Sequence, residues 1–331
     1  LTVLHPLLSL TGVRARVARI VDETPTTKTF VLQPNALWAG AQAGQFVRVQ
    51  LEINGRRVER AYSLSSPPGS RRIAFTVKRQ EQGLVSGHLH AAVKVGDVLT
   101  ISQALGEFVL PDALPSKMLL LSAGSGITPV MSMLRDLKAR QYQGDLVFLH
   151  VCRAPDDLIF AQQLHALTAD FPGLRLAVHY DSHAGFFSPD ALARQVPDLG
   201  ARSTWMCGPA GFMDAISAFW NAQGFGSELL SERFVGAPVL PSTAPGTPVA
   251  VSFVNSGTTF TTQGTEPLLV QAERAGLTPK HGCRIGICRS CQCTKTSGTV
   301  ENLQTGEVSS APNELIRLCI STARSDVALA L

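Results

Sequence analysis

Five of the chain's seven cysteines fall between residues 283 and 319, and four of them have a spacing suited to redox chemistry. Cys283-x4-Cys288-x2-Cys291 is followed 28 positions later by Cys319. This is the plant-type spacing for a [2Fe–2S] cluster, whose two irons and two sulfides take four thiolates, three of them from one loop. Gly282 and Gly286 would let that loop turn tightly and bring backbone N–H groups to the sulfurs, where hydrogen bonds help to set the potential. A zinc site is the alternative, but zinc loops usually pair short C-x2-C spacings, which this pattern fits poorly. Cys293 stays open between a buried spectator thiol and a substitute ligand in a damaged cluster.

Two further constellations could hold nucleotides. Arg60-Ala61-Tyr62-Ser63 follows a strand pattern and precedes a turn. An Arg and a Tyr on a strand are ordinarily surface residues, so the motif gains weight only from its downstream neighbours. Val77-Lys78-Arg79 ends the next strand, and Gly83-Leu84-Val85-Ser86 opens a helix through His90. A helix start built from small residues is an anion site, because its free N–H groups and dipole favour phosphate. Arg60 adds a bidentate cation, Tyr62 a face for a ring and Ser63 a hydroxyl for the ring edge. Together they suit a flavin nucleotide. The second constellation is Gly124-Ser125-Gly126-Ile127-Thr128-Pro129, between a buried strand and a helix. Glycines there allow close approach to a pyrophosphate, and proline is tolerated in a first helical turn. Met206-Cys207-Gly208-Pro209 ends another strand at the carboxyl edge, where open α/β sheets bind ligands, so Cys207 is better placed for ligand contact than for packing.

The elements that must position these groups divide the chain into three parts. Up to about residue 112, apolar residues alternate, as in Val47, Val49, Leu51 and Ile73, Phe75, Val77. Turn residues lie between them at Asn54-Gly55 and Pro67-Pro68-Gly69, and the pattern predicts an antiparallel β-barrel or sandwich of about six strands over 13–112. Residues 113–234 switch to continuous apolar runs: Met118–Leu121, Leu146–Val151, Leu174–Tyr180 and, as the last strand, Thr204–Cys207. Helical stretches at Ile159–Thr168 and Phe212–Gln223 accompany them, which predicts an α/β doubly wound parallel sheet. Residues 235–248 carry four Pro, two Gly and no charge, as a stiff linker would. Residues 249–331 are the size of a small α+β domain, with a strand at Val249–Val254 and a helix at Leu268–Ala275 before the cysteine loop.

Composition excludes several classes. A formal net charge of +4 over 331 residues demands no nucleic-acid partner. An odd cysteine count with clustering argues against a secreted disulfide scaffold. The opening Leu1–Leu10 is broken by His5 and Pro6, and Met118–Leu134 contains three Ser, two Gly and Pro129, so neither reads as a signal or a membrane span. Because the chain begins at Leu, its native start is expected to lie elsewhere.

From about residue 13 onward, these motifs in this order resemble the ferredoxin–NADP reductase superfamily with a plant-type ferredoxin domain of β-grasp type fused at the C-terminus. The resemblance implies Arg60 at the flavin phosphate, Tyr62 against the isoalloxazine and Ser63 near its reactive nitrogen. Val77, Lys78, Gly83, Val85 and Ser86 complete the flavin site, with FAD favoured over FMN. It further implies that Gly124, Gly126, Thr128, Pro129, Cys207, Gly208 and Pro209 bind the pyridine nucleotide. Glu232-Arg233-Phe234 resembles the segment that approaches the flavin, with Phe234 as the contact. Arg153 lies where a cation meets a 2′-phosphate, whereas the nearby Asp156 and Asp157 would suit NADH; the resemblance leans to NADPH.

The stretches His281–Cys291, Asn302–Glu307 and Glu314–Cys319 resemble reductases that serve membrane-bound fatty-acid desaturases and di-iron hydroxylases. An NAD(P)H-dependent oxidoreductase is therefore expected, a two-electron to one-electron converter feeding a terminal oxygenase, desaturase or hydroxylase. Hydride transfer calls for no acid–base dyad, so no catalytic residue is named. A Rieske oxygenase is the alternative client, and a non-enzymatic redox sensor the alternative class. The protein is expected to be cytoplasmic and monomeric, peripheral to a membrane only through its partner. Lys280, His281, Arg284, Arg289 and Lys295 are expected to form a basic docking rim around the cluster loop.

Overall fold

The computed structural model describes residues 7, 12–53, 55–81, 83–234, 248–262, 266–281, 286 and 289–331. Cys283, Cys288, Arg284 and nearly all of the expected linker lie outside the described residues. The chain divides into two compact units, Leu1–Phe234 and Val235–Leu331.

In the first unit, six antiparallel strands form the flavin-type sheet: β1 (Val13–Thr24), β2 (Thr27–Pro34), β3 (Phe46–Ile53), β4 (Arg56–Ser63), β5 (Ile73–Lys78) and, after helix α1 (Leu84–Ala91), β6 (Val98–Ile101). Their order is β4-β3-β6-β1-β2-β5. A bridge between Leu64 and Phe75 joins the two edges and closes the sheet toward a barrel. Alternation is the cause: Val13, Ala15, Val17, Val47, Val49 and Leu51 all point into one core.

The same unit continues into β7 (Lys117–Ala123), α2 (Ile127–Ala139), β8 (Asp145–Cys152), α3 (Ala161–Asp170), β9 (Leu174–Tyr180), α4 (Asp181–Ala184), α5 (Pro189–Gln195), β10 (Ser203–Cys207), α6 (Ala210–Gln223) and β11 (Leu229–Glu232). The five strands are parallel in the order β11-β10-β7-β8-β9. Both faces are covered: Met118, Leu120 and Phe148 pack beneath α2, while Leu119, Leu121 and Val147 pack beneath α5 and α6. The sheet therefore has one strand more than expected. Thr204–Cys207 is not its end; β11 adds outside it, and its four residues are too short and too little apolar to read as a strand in isolation.

The second unit has β12 (Val249–Phe253), β13 (Thr258–Thr262), α7 (Leu268–Arg274), β14 (Gln292–Ser297), β15 (Val300–Asn302), β16 (Val308–Ser309), β17 (Glu314–Arg317), β18 (Ser321–Ala323) and β19 (Val327–Ala330). A five-stranded sheet, β13-β12-β19-β14-β17, and a three-stranded one, β16-β15-β18, share a core with α7. Among the described residues, no helix is long and apolar enough to cross a membrane.

Candidate functional site

Strand β4 ends at the barrel's closing edge and so presents its last residues at the seam between the barrel and the parallel sheet. Tyr62 stacks on Phe75 at 5.3 Å, and Phe75 stacks on Phe30 at the same spacing, so the tyrosine ring is backed by a column of rings. Burial pushes its phenol well above the usual range, which keeps it neutral. Ser63 is buried and donates to Glu232 Oε2 at 3.3 Å. Arg60 Nη1 donates to Glu59 O at 2.8 Å.

Behind this motif, α1 starts at Gly83 with no side-chain cap. The side chains of Val77 and Val85 are buried in the barrel core, so only their backbone can face a ligand. The Ser86 hydroxyl folds back onto the loop, accepting from Gln80 N at 3.1 Å and donating to Gly83 O at 3.3 Å. Lys78 and Gly83 line a cleft of about 1010 Å³, and Lys78, Arg153 and Asp157 also line a second cleft of about 550 Å³. The two sites expected from sequence thus adjoin.

The second cleft lies over the carboxyl ends of the parallel strands. Gly124 adopts φ +52° at the turn after β7, and Gly126 passes so close to the turn after β10 that a Cβ would lie 2.2 Å from Cys207 O. Only glycine permits that contact, and it brings the expected pyrophosphate turn against Cys207-Gly208-Pro209. The buried Thr128 donates from Oγ1 to Ser125 O at 3.1 Å, so its hydroxyl braces the turn. Pro129 is buried in the first turn of α2 and Pro209 caps α6. Arg153 is 75% exposed and 3.9 Å from Asp157. Asp181 and Phe186 line the same cleft, and the Phe186 ring is 92% exposed. Phe234, two residues beyond Glu232, packs partly buried against the parallel-sheet core.

Glu232 is the functional candidate that sequence reasoning passed over in favour of Phe234. It opens the Glu232-Arg233-Phe234 segment expected to approach the flavin, in which Phe234 is the expected contact. Burial pushes its carboxyl up to about 7, against the pull of the Ser63 hydrogen bond. In the register of the parallel strands it stands beside Cys207, which stands beside Ser122 and then His150. The Cys207 thiol is pushed well up by burial and by Glu232, and His150, bonded to Ser122 Oγ at 2.8 Å, is pulled down to about 3 by burial. At neutral pH this row is uncharged except at Glu232.

In the second unit, Cys291 and Cys319 are both buried. Gly286 N donates to Cys319 Sγ at 3.2 Å, the N–H to sulfur bond that stabilises a ligating thiolate. Arg317 donates to Gly286 O and ties that loop to β17. Two buried thiols with a backbone donor fit an iron–sulfur cluster. Cys293 is part of the apolar core opposite Ile316, with its thiol pushed up to about 12 by burial, so it packs as a neutral side chain. The expected basic rim loses one member. Lys295 is fully buried, donating to Gly298 O and Ser309 O at 3.0 Å and pairing with Glu314 at 3.3 Å. Three acceptors around one ammonium hold it inside. His281 stands 3.6 Å from Glu273, while Lys280 and Arg289 are exposed.

A flavin seat, a dinucleotide cleft and a cysteine loop on one chain define a pyridine-nucleotide-dependent iron–sulfur flavoprotein. Family models agree along the chain: an oxidoreductase FAD-binding domain over residues 15–110, an oxidoreductase NAD-binding domain over 120–218 and a 2Fe-2S iron-sulfur cluster binding domain over 253–324. An NADPH oxidoreductase of Mycobacterium tuberculosis is 37% identical over 98% of this chain and 86% of its own length. The glycine betaine monooxygenase reductase subunit of Chromohalobacter salexigens is 30% identical over 95% and 94%. Among solved structures, phthalate dioxygenase reductase, a modular carrier of electrons from pyridine nucleotides to [2Fe–2S], superposes with a TM-score of 0.64 at 25% identity over 96% of this chain and 97% of that one. The chain belongs to the ferredoxin–NADP reductase superfamily, among members that fuse flavin, nucleotide and [2Fe–2S] domains. It is an NAD(P)H-dependent oxidoreductase using FAD and a [2Fe–2S] cluster.

Proposed function

We propose that this chain is the reductase component of a terminal oxygenase system. It would take a hydride from NAD(P)H in the cleft over the parallel sheet and hand electrons on singly through Cys283, Cys288, Cys291 and Cys319. When bound, the flavin supplies the conversion of one two-electron step into two one-electron steps. The chain's own residues do the rest. Tyr62, backed by Phe75, offers a ring face. Arg60, Lys78 and the start of α1 at Gly83 favour phosphates. Gly124, Gly126 and the Cys207-Gly208-Pro209 turn let a second nucleotide close in.

The observation that carries this reading is the 3.3 Å bond from Ser63 of the barrel to Glu232 of the parallel sheet. It joins the expected ring-edge residue to the strand beside Cys207, so both nucleotide motifs meet at one point. Each nicotinamide oxidised leaves one proton behind after its two electrons depart. Glu232 Oε2, reached through Ser63 Oγ and titrating near 7, is the acceptor placed for it.

The relatives' names favour an oxygenase as the electron acceptor, and this chain is read as acting on one as a monomer, with a membrane-bound desaturase or hydroxylase as the second reading from the cysteine-loop resemblance. The test is a spectrum of the purified protein with flavin extraction, followed by paired assays. Cys291→Ser should keep NAD(P)H-dependent reduction of ferricyanide, a dye served by the flavin, and lose reduction of the oxygenase component. A preparation without FAD, or a variant that still reduces the oxygenase at the parental rate, would overturn the proposal.

A further inference from the structure

Beyond Ser63 the segment still bridges β5 through Leu64, and the carbonyls of Ser65 and Ser66 find donors in the nucleotide domain. Ser132 Oγ of α2 donates to Ser66 O at 2.6 Å, and Arg135 Nη1 donates to Ser65 O. Arg135 Nη2 donates onward to Gln163 Oε1 of α3, and the guanidinium lies 5.1 Å from the centre of the Phe160 ring. On the barrel side, Ser65 N donates to Ala74 O at 2.8 Å and Ser66 Oγ accepts from Ala74 N at 3.1 Å. Residues 62–66 are thus held between β5 and α2.

Thr128, Ser132 and Arg135 are spaced i, i+4 and i+7, a single stripe along α2. Thr128 braces the glycine turn at the head of the helix; the other two grip the flavin-type segment. The rest of the helix's buried surface is apolar, with Val130, Met131, Met133, Leu134 and Leu137. Polar groups are costly in such a helix face unless fully partnered, and here each has a partner. Burial pulls Arg135 down only to about 10, so it stays a cation at neutral pH.

We propose that Ser132 and Arg135 are positioning residues for hydride transfer. They tie the strand end carrying Tyr62 and Ser63 to the helix whose first turn holds the dinucleotide, and so set the separation of the two reacting rings. This rests on the reading of the chain as a flavin and pyridine-nucleotide protein. With both cofactors bound, the dihydronicotinamide would give up its C4 hydride, with both electrons, to the flavin ring. The nicotinamide is oxidised and the flavin reduced, and neither Ser132 nor Arg135 exchanges a proton. Positioning at this level matters because a displacement of about 1 Å can cost on the order of 100-fold in rate.

The experiment is single-turnover reduction of the full-length holoprotein by NADH and by NADPH without oxygen, on Arg135→Met, Arg135→Lys and Ser132→Ala. Titration with the oxidised nucleotides gives affinity, and visible circular dichroism reports the flavin's setting. The expected result is a hydride-transfer rate lowered about tenfold or more in Arg135→Met and several-fold in Ser132→Ala. Oxidised-nucleotide affinity should be kept, and the flavin circular dichroism should change. Arg135→Lys should rescue in part, since an ammonium can reach Ser65 O but cannot also fork to Gln163. If Arg135→Met does not fold, Ser132→Ala, which removes one hydroxyl, decides the matter. Parental hydride-transfer rates in Ser132→Ala, or a rate loss matched by an equal loss of nucleotide affinity, would overturn the proposal. Absence of FAD from the parent protein would instead overturn the flavin reading beneath it.

Discussion

Below about pH 7 Glu232 holds its proton because burial outweighs the Ser63 hydrogen bond, and that has a consequence for stability. An ordinary glutamate titrates near 4.3 and this one near 7. Between those values the folded chain keeps a proton that the unfolded chain gives up, so the contribution to stability falls as pH rises and is fully lost above about 7. Glu232→Gln should therefore gain on the parent across that window, by at most about 3 kcal/mol, in urea unfolding at pH 5 and pH 8. An unchanged difference between the two pH values would rule this out. Arg153 poses a different question, since it faces the cleft with Asp157 and Asp181. Its removal leaves Lys78 as the cation facing Asp157 and Asp181 among the described residues of that cleft. Arg153→Ala should raise the KM for NADPH about tenfold more than the KM for NADH, through loss of one charge contact near the surface. Equal effects on both nucleotides would remove Arg153 from the 2′-phosphate site.

Among the elements, the close pass of the β7 and β10 turns is the most demanding. Gly126→Ala would set a Cβ 2.2 Å from Cys207 O and 2.7 Å from Gly208 N, both backbone atoms that cannot step aside. A cost of about 1–3 kcal/mol in thermal unfolding is expected, with weakened nucleotide binding by fluorescence titration. A variant with parental affinity would show that the turns can separate without harm. Much of this architecture was legible beforehand. The alternation at Val47, Val49 and Leu51 and the unbroken run at Leu146–Val151 are one-dimensional signals of half-buried and fully buried strands, while the run at Leu174–Tyr180 marks an edge strand that is only partly buried. What stayed hidden depends on contacts distant in sequence. β11 is a strand only because β10 lies beside it, and Arg135 meets a carbonyl 70 residues away. Lys295 looks like surface charge until the acceptors at 298, 309 and 314 are brought round it. The Ser63–Glu232 pair spans 169 residues, which no local pattern announces.

For the molecule as a whole, the chain's division into two compact units means that the nucleotide chemistry and the exit cluster rest on separate cores. The clamp around Lys295 belongs to the second core alone, and it makes this lysine a reporter of that core's opening. An acylating reagent reacts with free amines it can reach, so exposed Lys280 should be labelled early. Lys295 should remain unmodified for as long as β14 stays zipped to its neighbours. Peptide mass spectrometry over a time course in mild denaturant would then time the loosening of the cluster-bearing unit, with the flavin absorbance recording the other unit in the same sample. Equal labelling of Lys280 and Lys295 in native buffer would mean that the second core breathes freely. A protected Lys295 would mean that Cys291 and Cys319, the thiols proposed to hold the cluster and buried in the same core, are shielded from alkylating and oxidising agents for just as long.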